Sequence, residues 1–137
     1  MPNIFLEAAL QYAGRGWRVF PCKPKDKTPL IKGGFKAATV IPKQIESWWA
    51  QWPEANVAIA TGAMSGLVVL DIDGPRGVEH LKRVVEQTHY GVTQQPLACV
   101  LTNRGFHLYY ELPIEMHDLR CSSGDGVDVR ANGGFVL

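Results

Sequence analysis

The sequence predicts an α+β fold built on a mostly antiparallel sheet flanked by helices, and two observations carry that expectation. Helical spacing comes early in the chain, with a few strands among the helices. Strand-like runs then dominate the second half, and no internal repeat or low-complexity segment interrupts the order.

The elements follow in turn. Asn3 to about Ala13 reads as a short helix, capped by Asn3 and stopped by Gly14. Trp17 to Phe20 is a strand in which Trp17 and Val19 alternate against Arg18 and Phe20. A Lys-, Pro- and Gly-rich loop covers Pro21 to Thr39. Ile45, Trp48, Trp49 and Trp52 sit at i, i+3, i+4 and i+7, which is one face of a helix opened by Pro42 and closed at Pro53. Core packing is the better use of those tryptophans than base stacking. Val57 to Ala60 is a strand, and the four apolar residues Leu67 to Leu70 read as a buried strand with two carboxylates following. Gly77 to about His89 is an amphipathic helix through Val78, Leu81, Val84 and Val85. Strands at Cys99–Thr102, Phe106–Leu112, Gly126–Arg130 and Gly134–Leu137 complete the chain.

Composition narrows the function classes. A chain of 137 residues is one domain and can bury a core. It is 46% apolar and 20% charged, ordinary for a globular protein. No apolar run approaches the roughly 20 residues that span a bilayer. Glu7 interrupts the short apolar N-terminus, so no signal-peptide pattern forms, and a cytoplasmic location is expected. Net charge is only +1, yet eight of the fourteen basic residues lie between Arg15 and Lys43, where Asp26 alone opposes them. Such a segment is either a solvated loop or a surface for a phosphate-rich polymer. Cys22, Cys99 and Cys121 are odd in number and scattered, which argues against a disulfide framework. His117 and Cys121 offer only two close ligands for zinc, so free thiols are the better reading.

The chemistry concentrates on three strands. In Leu67-Val68-Val69-Leu70-Asp71-Ile72-Asp73-Gly74, period two puts Asp71 and Asp73 on one face and Ile72 on the other. Two adjacent carboxylates repel unless a cation lies between them, and a divalent ion with oxygen ligands is the usual solution. A strand ending in an Asp-Gly turn with both acids solvated fits the same residues. The choice sharpens further along. In Phe106-His107-Leu108-Tyr109-Tyr110, packing of Phe106, Leu108 and Tyr110 turns His107 and Tyr109 to the opposite side. In Val127-Asp128-Val129-Arg130, the valines are expected to face the core while Asp128 and Arg130 share the other face. If the three strands share a sheet with those faces aligned, Asp71, Asp73, Asp128, His107 and Arg130 converge. Three carboxylates, an imidazole and a guanidinium suit a metal–triphosphate site.

These residues also carry a family resemblance. Asp71-Ile72-Asp73, the histidine after the turn Thr102-Asn103-Arg104-Gly105-Phe106-His107, and Gly126-Val127-Asp128-Val129-Arg130 resemble the three motifs of the archaeo-eukaryotic primase superfamily. The closer likeness is to the bifunctional primase/polymerase N-terminal (Prim-Pol) domain. Flanking segments agree in order: Ala13 to Pro21, Lys27-Thr28-Pro29, Trp48-Trp49, Asn56 to Gly62, and Gly133-Gly134-Phe135-Val136. The resemblance implies an RRM-like catalytic core and template-directed nucleotidyl transfer, priming or extending DNA in a plasmid, phage or other mobile-element replication protein. It implies Mg2+ or Mn2+ held by Asp71, Asp73 and Asp128, with His107 and Arg130 on the triphosphate. Lys27 is a looser candidate for nucleotide or template contact. Single-stranded DNA and NTP or dNTP are the implied partners, with a helicase domain a further one.

The chain departs from the family pattern in places. A small residue and two glycines usually precede the histidine, whereas Asn103 and Arg104 precede Gly105 here. Arg104 is either an extra phosphate contact or a group that crowds the nucleotide. An acidic helix cap is replaced by Ile41, which costs about a kcal/mol at most. Family domains continue beyond Gly-Gly-Phe-Val-Leu, so residues 1–137 are expected to be a single catalytic domain lacking its C-terminal strands. Two other readings compete. Leu70 to Gly74 also resembles the first motif of haloacid-dehalogenase-type phosphohydrolases, which pair a nucleophilic Asp with an acid/base Asp on a parallel sheet. That family also needs a later lysine and a paired acidic motif, and no lysine follows Arg83. A non-catalytic nucleic-acid-binding module, with the acids vestigial, is the third reading.

Overall fold

The computed structural model describes residues 3–88, 97–112, 114, 117–124 and 126–137, with the backbone alone described at 81 and 83–88. Helix α1 is Ile4–Gly14, and the Asn3 side chain caps it by accepting from the Phe5 and Leu6 N–H groups. Strand β1 is Val19–Cys22. It starts two residues later than alternation suggests because the Trp17 N–H is used by the helix-end turn, donating to the Tyr12 carbonyl. The lysine-rich loop folds back on β1 rather than trailing into solvent. Lys23 donates to Thr28, Leu30 to Pro21, and Thr39 pairs with Val19, with a 3-10 turn at Gly34–Ala37 on the way.

Helix α2 is Pro42–Gln51. Ile41 at its N-cap supplies no side-chain hydrogen bond, and Pro42 fits the first helical position, where a missing N–H costs nothing. Ile45 and Trp49 are buried and Trp48 and Trp52 half-buried, so the tryptophans do serve the core. The Trp49 indole N–H is satisfied by the Ala55 carbonyl at 3.0 Å.

Strands β2 (Asn56–Ala60) and β3 (Leu67–Asp73) follow, then helix α3 (Gly74–Thr88). The helix begins directly after Asp73, three residues earlier than its apolar pattern suggests, because Gly74 makes the turn with φ +63°. His89 and the side chains of Leu81, Val84 and Val85 lie outside the described residues. The remaining strands are β4 (Ala98–Leu101), β5 (Gly105–Glu111), β6 (Ser122–Gly124), β7 (Val127–Arg130) and β8 (Phe135–Val136). Strand β6 has no apolar residue and exists through its pairing with β7 alone.

The strands form two sheets, ordered β1-β2-β8 and β4-β5-β3-β7-β6, and every strand pair is antiparallel. After β7 the chain returns to the first sheet through β8. The main core joins Trp17, Val19, Ile45, Trp49 and Ile59 to Leu67, Val69 and Tyr109 of the second sheet. Phe20, Cys22, Ala58 and Ala60 form a smaller core on the other face of the first sheet, where Phe20 meets Phe135 edge-on at 5.1 Å.

One expectation is corrected here. Val127 and Val129 do not face the main core; they are half-buried, on the face shared with Leu70 and Ile72. The core instead takes Leu67 and Val69, on the same face as the acids. On the acid-bearing face the first residues of β3 are covered by the main core, and Asp71 and Asp73 emerge at its end; on the opposite face Ile72 is fully buried, and α3 packs against β3 and β7. Among the described residues no helix is long and apolar enough to cross a membrane.

Candidate active site

The central strand β3 positions the first two acids, and its neighbours on both sides complete the set. Asp71 stands opposite His107 on β5 and opposite Asp128 on β7, so the three side chains form one row across the sheet. Asp73 lies two residues on, on the same face, opposite Gly105. Each of Asp71, Asp73 and Asp128 offers a carboxylate oxygen within 4.8 Å of the others, and all three are partly buried. Among the described residues no other set of three or more His, Cys, Asp or Glu side chains comes together so closely. Cys121 instead accepts from the Ala131 N–H at 3.3 Å, and His117 is engaged through its carbonyl by Asn132. All three cysteines are free.

Two of the acids have a basic neighbour. His107 Nε2 lies 3.3 Å from Asp71 Oδ1, with both side chains 15% exposed. Arg130 contacts Asp128 Oδ2 at 3.5 Å, with about a third of each side chain exposed. That pair is open to solvent and contributes little to stability. The imidazole Nδ1 is buried and has no hydrogen-bond partner among the described residues. Tyr109 follows on the same face. Burial, with Tyr12 nearby as a lesser cause, pushes its phenol up to about 12.

Backbone contacts hold the acid-bearing end of β3 from both flanks. The Asp73 N–H donates to the Gly126 carbonyl, and the Gly74 N–H donates to the Arg104 carbonyl, each at 2.7 Å. Close approach makes glycine necessary at two positions. A Cβ on Gly105 would strike the Ile72 carbonyl, and one on Gly126 would meet the Gly77 nitrogen at 2.6 Å. These glycines escape a search for chemical side chains, and their only signal is their place beside the two motifs.

The other candidates stand further out. Arg104 is exposed at the tip of the β4–β5 turn, its backbone fixed beside Asp73. Lys27 is exposed on the loop that folds over β1, so it belongs to the first sheet rather than to the sheet bearing the acids. Its N–H is taken by the Asp26 carboxylate at 2.7 Å, and its carbonyl lies 3.6 Å from Cys22 Sγ. Arg18 is used structurally, its side chain donating to the Met64 carbonyl, and Arg15 lies over the Trp17 ring at 5.2 Å.

A half-buried set of hard oxygen donors suits a hard divalent cation better than a soft metal. These three carboxylates could hold a divalent cation, and His107 and Arg130 stand on the same face of the sheet. The particular family follows from the sequence: the model for bifunctional DNA primase/polymerase, N-terminal (Prim-Pol), matches residues 9–137, and the chain belongs to this family. No curated protein matches the chain. The family implies DNA primase/polymerase activity of nucleotidyltransferase type and binding of nucleic acid and nucleotide. The phosphohydrolase reading required a parallel sheet, whereas β3 is antiparallel to both neighbours.

Proposed function

We propose that this domain performs template-directed nucleotidyl transfer from NTP or dNTP, in a plasmid, phage or other mobile-element replication protein. The carrying observation is the convergence of Asp71, Asp73 and Asp128 on one face of one sheet. In this reading Asp71, Asp73 and Asp128 hold Mg2+ or Mn2+. When bound there, divalent ions would supply acidification of the attacking 3′-hydroxyl and charge stabilisation of the departing pyrophosphate. His107 and Arg130 contact the triphosphate from beside the acids. Arg104 reaches it from the turn next to Asp73. Its exposed position favours phosphate contact over crowding. Lys27 and its loop take the single-stranded DNA template, since they are mounted on the other sheet. A following helicase domain would supply the unwound strand.

Asp71→Asn tests the assignment. Loss of a direct ligand costs more than loss of an outer partner, so metal-dependent incorporation should fall by more than about a hundredfold. Primer-extension assays on labelled template measure it. Retained incorporation would sink the metal-ligand role, and a covalent phosphate trapped on wild-type Asp71 would restore the hydrolase reading.

A further inference from the structure

We infer that His107 is a positioning residue for Asp71, separately from any contact it makes with nucleotide. The inference rests on Asp71 being a metal ligand, as proposed above. Three carboxylates in one cluster repel, and each can relieve the strain by rotating away from the others. Asp71 is opposed in that rotation by the imidazole directly across the ladder, with Nε2 3.3 Å from Oδ1. Among the described residues no second polar group claims the ring, because Nδ1 is buried without a partner.

The ring is itself held from behind. Tyr109, two residues along the same face, lies 6.4 Å from it, centroid to centroid. Tyr109 packs on Trp17 at 5.7 Å, and Trp17 stacks on Tyr12 of α1 at 5.9 Å. Trp17 and Tyr109 are both in the main core. A column of rings therefore runs from the first helix through the core to the imidazole, and its last member meets the central acid. An outer partner that orients a ligand typically changes metal affinity or activity by about ten- to a hundredfold.

The test reads metal alone. Mn2+ binding without nucleotide, followed by the paramagnetic resonance signal of the free ion, is compared among wild type, His107→Ala, His107→Gln and Asp71→Asn. His107→Ala should weaken Mn2+ binding by about tenfold with an unchanged melting temperature. His107→Gln, whose amide can face the same oxygen, should recover most of the loss, which a merely space-filling role does not predict. Wild-type affinity in His107→Ala, alongside loss of binding in Asp71→Asn, would overturn the positioning role and leave the metal site standing. Unchanged binding in Asp71→Asn would remove the site assignment and this inference with it.

Discussion

The two sheets are built to different standards of burial. In the three-stranded sheet every residue of β1 is buried, and so is all of β2 after Asn56. Both of its faces are covered, one by the main core and one by the Phe20–Phe135 cluster. In the five-stranded sheet all four residues of β7 are half-buried, and β5 has a single fully buried residue, Tyr109. The sheet that is closed on both faces carries none of the candidate ligands, and the half-open sheet carries all three acids. The proposed site for metal and triphosphate needs strands that ligands can reach, and partial burial of β5 and β7 leaves them reachable.

The sharpest way to break this contrast is to damage each sheet in turn. Phe20→Ala removes a fully buried ring from the closed sheet and should cost about 3–5 kcal/mol in denaturant unfolding. A loss under about 1 kcal/mol would mean that the second face is not a core. On the open sheet the largest effects should fall on ligands. His107→Ala should weaken nucleotide binding about ten- to a hundredfold at fixed metal, the value of a charge-assisted hydrogen bond to phosphate, and leave template affinity nearly unchanged. Titration with labelled nucleotide and labelled DNA separates the two. If DNA is lost and nucleotide kept, the surfaces are exchanged.

Alkaline titration sharpens the same comparison. Burial, helped by Asp26, pushes the Cys22 thiol of β1 from its ordinary 9.0 to about 11. Tyr109 moves from 10.0 to about 12, also mainly through burial. The folded chain holds these protons more tightly than the unfolded chain. The stability they contribute is full below pH 9 and is lost as pH rises through 11 and 12. Melting curves should therefore fall across that window, and Cys22→Ala should begin its decline about a unit later. The smallest effect belongs to the β1 loop. Replacing Lys25, Lys27 and Lys32 singly should lower single-stranded DNA affinity modestly, each flattening the salt dependence by about 0.7 in the log–log slope. An unchanged slope would return that loop to a solvated surface.

Much of this was legible in the chain. A period of two fixes which residues of a strand share a face, so the co-facing of Asp71 with Asp73, and of Asp128 with Arg130, needed no structure. That the three strands would be adjacent came from the ordered motifs and is met in the register Asp71–His107 and Asp71–Asp128. Alternation correctly set Val127 and Val129 opposite Asp128 and Arg130, but it names two faces without saying which core each meets, and the valines lie on the α3 side with Ile72 rather than in the main core. Here coverage changes along the strand. Strand β6 was invisible because Ser122, Ser123 and Gly124 have no strand preference, and only the exposed edge of β7 recruits them. The split into two sheets depends on β8 pairing with β2, a long-range choice that local pattern does not encode.

The row Asp71–Asp128 also bears on how the protein is made. Asp71 and Asp73 leave the ribosome well before Asp128, and the third carboxylate joins them only when β7 docks on β3. A nascent chain short of that point presents a pair of acids and no complete cage. Contacts of such sequence separation form late and slow folding. In the proposed reading, a divalent ion that binds the finished cluster, and not its precursors, would act as a thermodynamic clasp on β7, favouring its register on β3 more strongly as the free ion concentration rises.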